Sequence, residues 1–383
     1  MTARLFSRSF LLLCTQFLAI STVAAIFFPL QLYLASLGIP ESAAGFIIGA
    51  DALAALFIQP FITPFVAART ARRWLLGGSV ALTLALLAEG TVTGATAFTV
   101  ARLLQGAGFI CIMTAFMPLM VLCIPVEKSG QAFGWISMIR LVPYASIPPL
   151  FGLLDIAPAD LGTVIRWSAL LGLLPALLLC FIPSFPEEKQ KEPVTFSGIW
   201  NSMKNGNLLL LLAATLLVYS AYAVTFYFLK GMVEDAGFTG SGLFFTVSTL
   251  VMLAVRLLGG SFFDRFEKAR MGGAALAISA AATFALPFCG GLLSFLSLAF
   301  VCGIGWGISM PLLNAIVFSV SEPAARGLNQ NLAFLMMQGG FFLGPLLGGG
   351  VLDLAGYQVV FTGAGLLILA AALFVLKVDS RHV

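Results

Sequence analysis

The sequence predicts an all-α polytopic membrane protein of about twelve transmembrane helices in two pseudo-symmetric six-helix bundles, and three observations predict it. Charged residues make up 9% of the 383 residues against 60% hydrophobic ones, with a mean hydropathy of +1.05; a soluble chain would carry roughly a quarter charged residues to cover its surface. The apolar runs are long and continuous. Many reach the roughly 20 residues that cross hydrocarbon as a helix, and they lack the alternation of a membrane barrel. Backbone groups in lipid must bond within their own segment, which leaves helices as the solution. The third observation is a repeat at half-length. Arg69 and Arg265, Pro149 and Pro345, Gly106 and Gly303, and Glu127 and Glu322 stand 196, 196, 197 and 195 residues apart. Offsets this constant indicate a duplicated six-span unit, and an even number of spans inserts both copies in the same orientation.

The first six spans are expected near residues 10–34, 43–67, 74–93, 96–124, 133–157 and 166–184. The first is too long for a signal peptide and lacks a small-x-small cleavage site, so it is read as retained. The second six are expected near 206–230, 241–263, 272–288, 292–320, 329–353 and 359–377. Between them PEEKQKEPVTFSGIWNSMKNGN, residues 186–207, is the one long polar interruption. It divides an N-terminal bundle, 1–185, from a C-terminal bundle, 208–383; Trp200 and Met203 suit part of it to the membrane surface. With the amino terminus inside, fifteen of the 20 Lys and Arg residues fall on inner segments, and only Arg166 and Lys230 fall outside. Basic residues stay on the cytoplasmic side, so both termini are expected there. The net charge of +4 is therefore a topological signal and gives no reason to expect a nucleic-acid partner. The six cysteines lack metal-ligand spacing and the single histidine, His382, lies in the tail, so neither a metal nor a buried His relay is expected.

Charges inside spans are energetically unfavourable and mark function. Asp51 lies about eight residues into the second span, roughly 12 Å deep at 1.5 Å per residue, and Arg102 enters the fourth span from the same side to a similar depth. A contact between them is geometrically reasonable. It is read either as a proton-coupling pair, in which the arginine turns to substrate and the acid takes a proton, or as a permanent structural ion pair. Arg140, in the fifth span, has no acid at its depth and suits a cavity, a substrate anion or the interface. Arg256 is expected to snorkel toward the inner face.

Three motifs carry a resemblance to a known family. Gly260-x-x-x-Asp264-Arg265-x-x-Lys268-x-Arg270 lies between spans eight and nine, Arg102-x-x-Gln105-Gly106 in span four, and Gly344-Pro345-x-x-Gly348-Gly349 in span eleven. With the repeat and the central linker, they make the chain resemble the major facilitator superfamily over essentially its whole length. The chain departs from that pattern in the loop after span two, where Pro64, Ala68 and Ala71 stand at positions the family fills with Gly, Asp and Gly. In span five, Pro148-Pro149 stands where an antiporter would carry Gly-Pro.

The resemblance implies a cytoplasmic latch, with Asp264 near Gly130 at the start of span five, Arg265 paired with Glu322, and Arg69 paired with Glu127. It implies a cavity whose polar candidates here are Gln16, Gln31, Gln105, Arg140, Tyr144, Tyr219, Tyr222, Asn314, Asn331 and Gln338, and a flexible span eleven, at Gly344, Pro345 and Gly348, working against span two. The function implied is secondary active transport of a small organic solute by alternating access in the bacterial inner membrane. Proton-coupled efflux is the first reading. Uptake of an anionic or zwitterionic metabolite or metal chelate is the alternative, and a transporter-like solute sensor a third. An enzyme would require a catalytic cluster at bundle depth, and the spans carry none. No cofactor is expected. The expected partners are the solute, protons and the lipid bilayer, and the chain is expected to act as a monomer.

Overall fold

One proline and one glycine decide where two of the apolar runs break. In a computed structural model of the protein, residues 6–66, 68–124, 128–182, 202, 204–263, 266–322 and 325–378 are described, and among them regular structure is entirely helical. The first run does not form one helix over 10–34. It divides into α1 (Arg8–Ile26) and α2 (Leu30–Ser36), because Pro29 has no N–H to donate and its ring excludes the carbonyl four residues back. Then follow α3 (Glu41–Ile62), α4 (Ala68–Glu89), α5 (Ala95–Leu122), α6 (Ser129–Leu153), α7 (Leu161–Leu179), α8 (Gly206–Asp235), α9 (Ser241–Phe263), α10 (Lys268–Ala285), α11 (Leu292–Val320) and α12 (Arg326–Leu376). Eleven of these segments are long and apolar enough to cross a membrane. The last, 51 residues long, is two spans in line, broken at Gly356 with φ 76° and ψ 176°, a conformation that glycine alone adopts readily.

The chain divides into two units, Met1–Ile39 with Ala50–Pro193, and Pro40–Gly49 with Val194–Val383. The boundary differs from the expected halves at residues 40–49, the first half of α3, which belong to the second unit. Two glycines and one acid account for this. A Cβ at Gly49 would lie 2.7 Å from the Phe342 carbonyl, and Gly45 is as close to the Pro345 carbonyl, so only residues without side chains fit there. Asp353 adds a cap: its two carboxylate oxygens accept from the Glu41 and Ser42 amides at 3.1 and 2.8 Å, satisfying amide donors that a helix start leaves open.

In the first unit α4 packs between α5 and α7, and α1 packs against α6 and α7. Lipid is as apolar as leucine, so helices associate here through close van der Waals packing of small residues. Gly78 and Gly108 provide it for α4 and α5: a Cβ on Gly108 would sit 2.6 Å from the Leu82 amide. At the basic end, Phe10, Leu13, Leu75, Phe116, Leu119 and Ile136 form a buried cluster, and Phe17 stacks on Phe116 at 4.9 Å. Arg72 closes this end by donating to the Ile182 and Leu179 carbonyls at 2.6 and 3.1 Å, a basic side chain satisfying the last carbonyls of α7.

In the second unit α8 packs most closely on α12, and α10 lies against α11 and α12. Gly340 and Gly344 bring α12 onto the α8 backbone at Leu216 and Ser220, and Gly348 faces the Phe228 ring. Span eleven therefore works against two neighbours. Gly344 and Gly348 face span seven, whereas the Pro345 carbonyl and Gly349 face the span-two segment at Gly45.

Candidate functional site

Gly106 sets the position of the charged pair in the first unit. A Cβ there would lie 2.7 Å from Asp51 Cα and 2.6 Å from Asp51 C, so α5 crosses α3 backbone to backbone at this point. Arg102 lies one turn earlier on α5, and the crossing places Arg102 Nη2 2.7 Å from Asp51 Oδ1. The guanidinium also donates from Nη1 to Gln105 Oε1, and its carbon lies 4.8 Å from the centre of the Phe27 ring. Phe27 occupies the break between α1 and α2, so the interruption made by Pro29 supplies the aromatic face on which the arginine rests. Arg102 is fully buried, whereas the Asp51 side chain keeps 31% of its exposure. A guanidinium stays charged in proteins, so Asp51 is what makes its burial tolerable.

A third member of this layer escapes the sequence reading. Glu89, the last residue of α4, is 0% exposed and has Asp51 and Arg102 as electrostatic neighbours. Neither of its carboxyl oxygens has a hydrogen-bond partner among the described residues. The signal was available: Glu89 falls inside the expected third span, 74–93, and meets the same criterion that singles out Asp51.

The remaining cavity candidates are scattered through both units. In the first unit Gln16 is buried and donates to the Pro175 carbonyl at 3.0 Å, which ties α1 to α7. Gln31 is buried on α2, Arg140 is exposed on α6, and Tyr144, one turn further along, is half-buried. In the second unit Tyr219 and Tyr222 join an aromatic cluster. Tyr222 meets the Trp306 ring edge-on at 5.0 Å, and both tyrosines lie about 6 Å from Phe341. Gln338 is buried on α12 and Asn331 half-buried. Asn314 is exposed; its side chain bonds back to the Met310 carbonyl at 3.3 Å, and its own carbonyl accepts from Gln330 at 2.9 Å. Asn329, which the sequence reading did not select, is buried and donates to Ser321 Oγ at 2.8 Å.

The latch residues Asp264, Arg265 and Glu127 lie outside the described residues, as do Trp200 and Met203. Of the rest of that motif, Gly260 lies near the end of α9 and Lys268 opens α10. Arg270 pairs with Glu267 at 2.7 Å, three residues earlier and on the surface. Arg69 and Glu322 are exposed. No group of three or more His, Cys, Asp or Glu side chains able to hold a metal ion occurs among the described residues.

The family model described as Major Facilitator Superfamily matches residues 12–329 and 211–383, together nearly the whole chain. The chain belongs to the Major Facilitator Superfamily. It is thus a membrane transporter for a small-molecule substrate and not an enzyme. The fold of this superfamily member is similar to that of the nucleoside transporter NupG, with a TM-score of 0.77 at 17% identity over 97% of this chain and 100% of that one. A variant of NupG gives a TM-score of 0.81 at 16% identity with the same coverage. A variant of the peptide transporter POT gives 0.74 at 13% identity over 97% of this chain and 94% of that one. No curated protein matches the sequence significantly.

Proposed function

We propose that this transporter is a proton-coupled secondary active carrier, and that Asp51 and Arg102 are its coupling pair. The observation that supports it is the fully buried Arg102 paired with a partly exposed acid, Asp51, at 2.7 Å. A buried ion pair contributes little net stability compared with well-packed apolar residues, so its presence at mid-depth in a membrane helix is better explained by a role in transport. When the arginine turns away, the uncovered Asp51 carboxylate must be neutralised, and taking up a proton does so. The sequence holds no phosphate-cradling Gly-x-x-x-x-Gly-Lys-Ser/Thr loop, so an ion gradient is the energy source this reading requires.

The proposed substrate is a small amphipathic organic solute. The half-buried Tyr219 and Tyr222 beside Trp306 and Phe341 offer an apolar body with polar tips, which suits flat, partly apolar molecules. Efflux is the proposed direction, on the short loops and the glycine-rich stretch 344–350. The second reading is uptake of an anionic or zwitterionic solute, favoured by the exposed Arg140 beside Tyr144 on α6. The carrier is proposed to act by alternating access, as a monomer in the bacterial inner membrane with both termini cytoplasmic. A thermal-shift screen of metabolites, chelates and drugs against the purified protein supplies candidate substrates. Flux of each hit into and out of proteoliposomes is then measured with and without an imposed pH gradient. Flux accelerated by the gradient supports the reading; flux indifferent to pH removes proton coupling.

A further inference from the structure

The charges of the first unit leave one group unmatched. Glu89 is 0% exposed, and both its carboxyl oxygens are without a hydrogen-bond partner among the described residues. A carboxylate so placed has lost its water and gained no donor, which strongly disfavours its charged form. The seal around it is built from backbone. The next residue, Gly90, packs so that a Cβ there would lie 2.6 Å from the Gly162 carbonyl and 2.7 Å from Arg166 Cβ, which presses this end of α4 against the first turns of α7. Four titratable or charged groups lie on the elements packed about this end of α4, two of them acting on Glu89 itself. Arg102 on α5 and Asp51 on α3 act on it electrostatically. Arg166 on α7 is itself exposed, and Tyr33 on α2 sets its hydroxyl beside Gly162, 2.5 Å from where a Cβ would stand. Arg102 is the buried cation among them, and Asp51 already matches its charge at 2.7 Å. One positive and two negative groups would leave an unmatched charge in a closed layer; one proton on Glu89 removes it.

We infer that Glu89 is a proton-binding site, holding its proton sealed from water while Arg102 pairs with Asp51. The inference rests on the proton-coupled reading above and deepens it. As Arg102 turns from Asp51 to Glu89, the Glu89 O–H bond breaks and leaves a carboxylate facing the guanidinium. The proton passes to the uncovered Asp51 carboxylate, where a new O–H bond forms. Each state contains one guanidinium, one carboxylate and one carboxylic acid, so no net charge is created in the low-dielectric interior. The two acids differ in access: Asp51 is 31% exposed and Glu89 is closed. One proton is thus reachable by water in one state and occluded in the other, which is the property a coupled carrier needs.

Infrared difference spectroscopy on the full-length protein in lipid nanodiscs, with pH jumps and no solute added, tests this directly. The wild type is expected to show the C=O stretch of a protonated carboxyl in a dry environment at neutral pH, moved by carbon-13 labelling of glutamate. Glu89→Gln should abolish that band while melting at the wild-type temperature, because a neutral amide replaces a neutral acid. Asp51→Asn should abolish it too, because Arg102 then takes Glu89 as its counter-ion; an acid with a merely structural role would keep its band. Should Glu89→Gln fail to fold, Glu89→Asp transfers the band from glutamate to aspartate labelling. Absence of a glutamic acid band at neutral pH, or its survival in Glu89→Gln, overturns the site; its survival in Asp51→Asn overturns the exchange. These spectra do not depend on transport. A Glu89 band together with pH-indifferent flux would remove the coupling reading and leave the proton site standing.

Discussion

The two units make the same helix crossing and fill it with opposite chemistry. In the first, Gly106 presses α5 onto the backbone of α3 at Asp51; in the second, Gly303 presses α11 onto the backbone of α9 at Ser248. Both partners are related by one offset of 197 residues (303 − 106 and 248 − 51). The next layer follows the same offset, with Gly108 against Gly78 in one unit and Gly305 against Ala275 in the other. Side chains at the matching positions do not follow. Asp51, Glu89, Arg102 and Gln105 of the first unit correspond to Ser248, Leu286, Ala299 and Cys302 of the second, all four of them buried. The duplication conserves backbone approach, which only small residues permit, and leaves the charges free to diverge. The first unit carries a charged layer and the second an uncharged one at the same station, which is why the proposal puts proton chemistry in the first unit and aromatic contact with substrate in the second.

The largest effect that would break this contrast is expected at Arg102. Arg102→Leu leaves the Asp51 carboxylate without its cation and should destabilise the protein by about 3 kcal/mol, the low end for breaking a buried pair because Asp51 is partly exposed. Asp51→Asn in the same chain should recover much of that loss, and thermal melting in detergent reads both. The matching position should show no such rescue, since Ala299 has no charged partner among the described residues; Ala299→Leu would act only through overpacking.

Next come the glycines. Gly106→Val and Gly303→Val should each destabilise by about 2 kcal/mol, the range of forced overpacking, and Gly106→Val the more, because a Cβ there comes nearer the partner backbone than one at Gly303. A lower melting temperature for Gly303→Val than for Gly106→Val would contradict that order. Asp353→Asn should lower the melting temperature less, through a weaker cap on α3, and Asp353→Ala further than Asp353→Asn. The smallest effect is expected from Arg270→Ala. Its pair with Glu267 lies on the surface, and exposed pairs are worth roughly 0–1 kcal/mol; a large change would mean that Arg270 serves the gating motif in some other way.

Much of this was legible in the sequence, for identifiable reasons. Span number and the repeat follow from hydropathy and spacing, which depend on lipid thickness and on where backbones must touch. Gly106 and Gly303 were found by spacing alone, and the structure shows that they bear on the same crossing. The break at Gly356 falls in the expected gap between residues 353 and 359, whereas the one at Pro29 was less legible, because an uninterrupted apolar run hides a backbone turn that hydropathy does not register. The assignment of residues 40–49 to the second unit depends on contacts across more than 300 residues of sequence, such as that of Asp353 with Ser42, which no local pattern contains. At the site, Asp51 and Arg102 stood out as charges at similar depth. Glu89 carried the same signal, an acid inside the expected third span, but it lies near that span's end, and its burial is what sets it apart. Gln16, read as a cavity group, donates its amide to the Pro175 carbonyl, while its Oε1 has no partner among the described residues.

The central claim is that the first unit alone carries the coupling chemistry. Its most direct test is substrate-driven proton movement in proteoliposomes, followed with an entrapped pH-sensitive dye for the wild type, Asp51→Asn and Ser248→Ala. The account predicts that Asp51→Asn abolishes proton movement while still exchanging labelled for unlabelled substrate, and that Ser248→Ala behaves as the wild type. Proton movement undiminished in Asp51→Asn would contradict it.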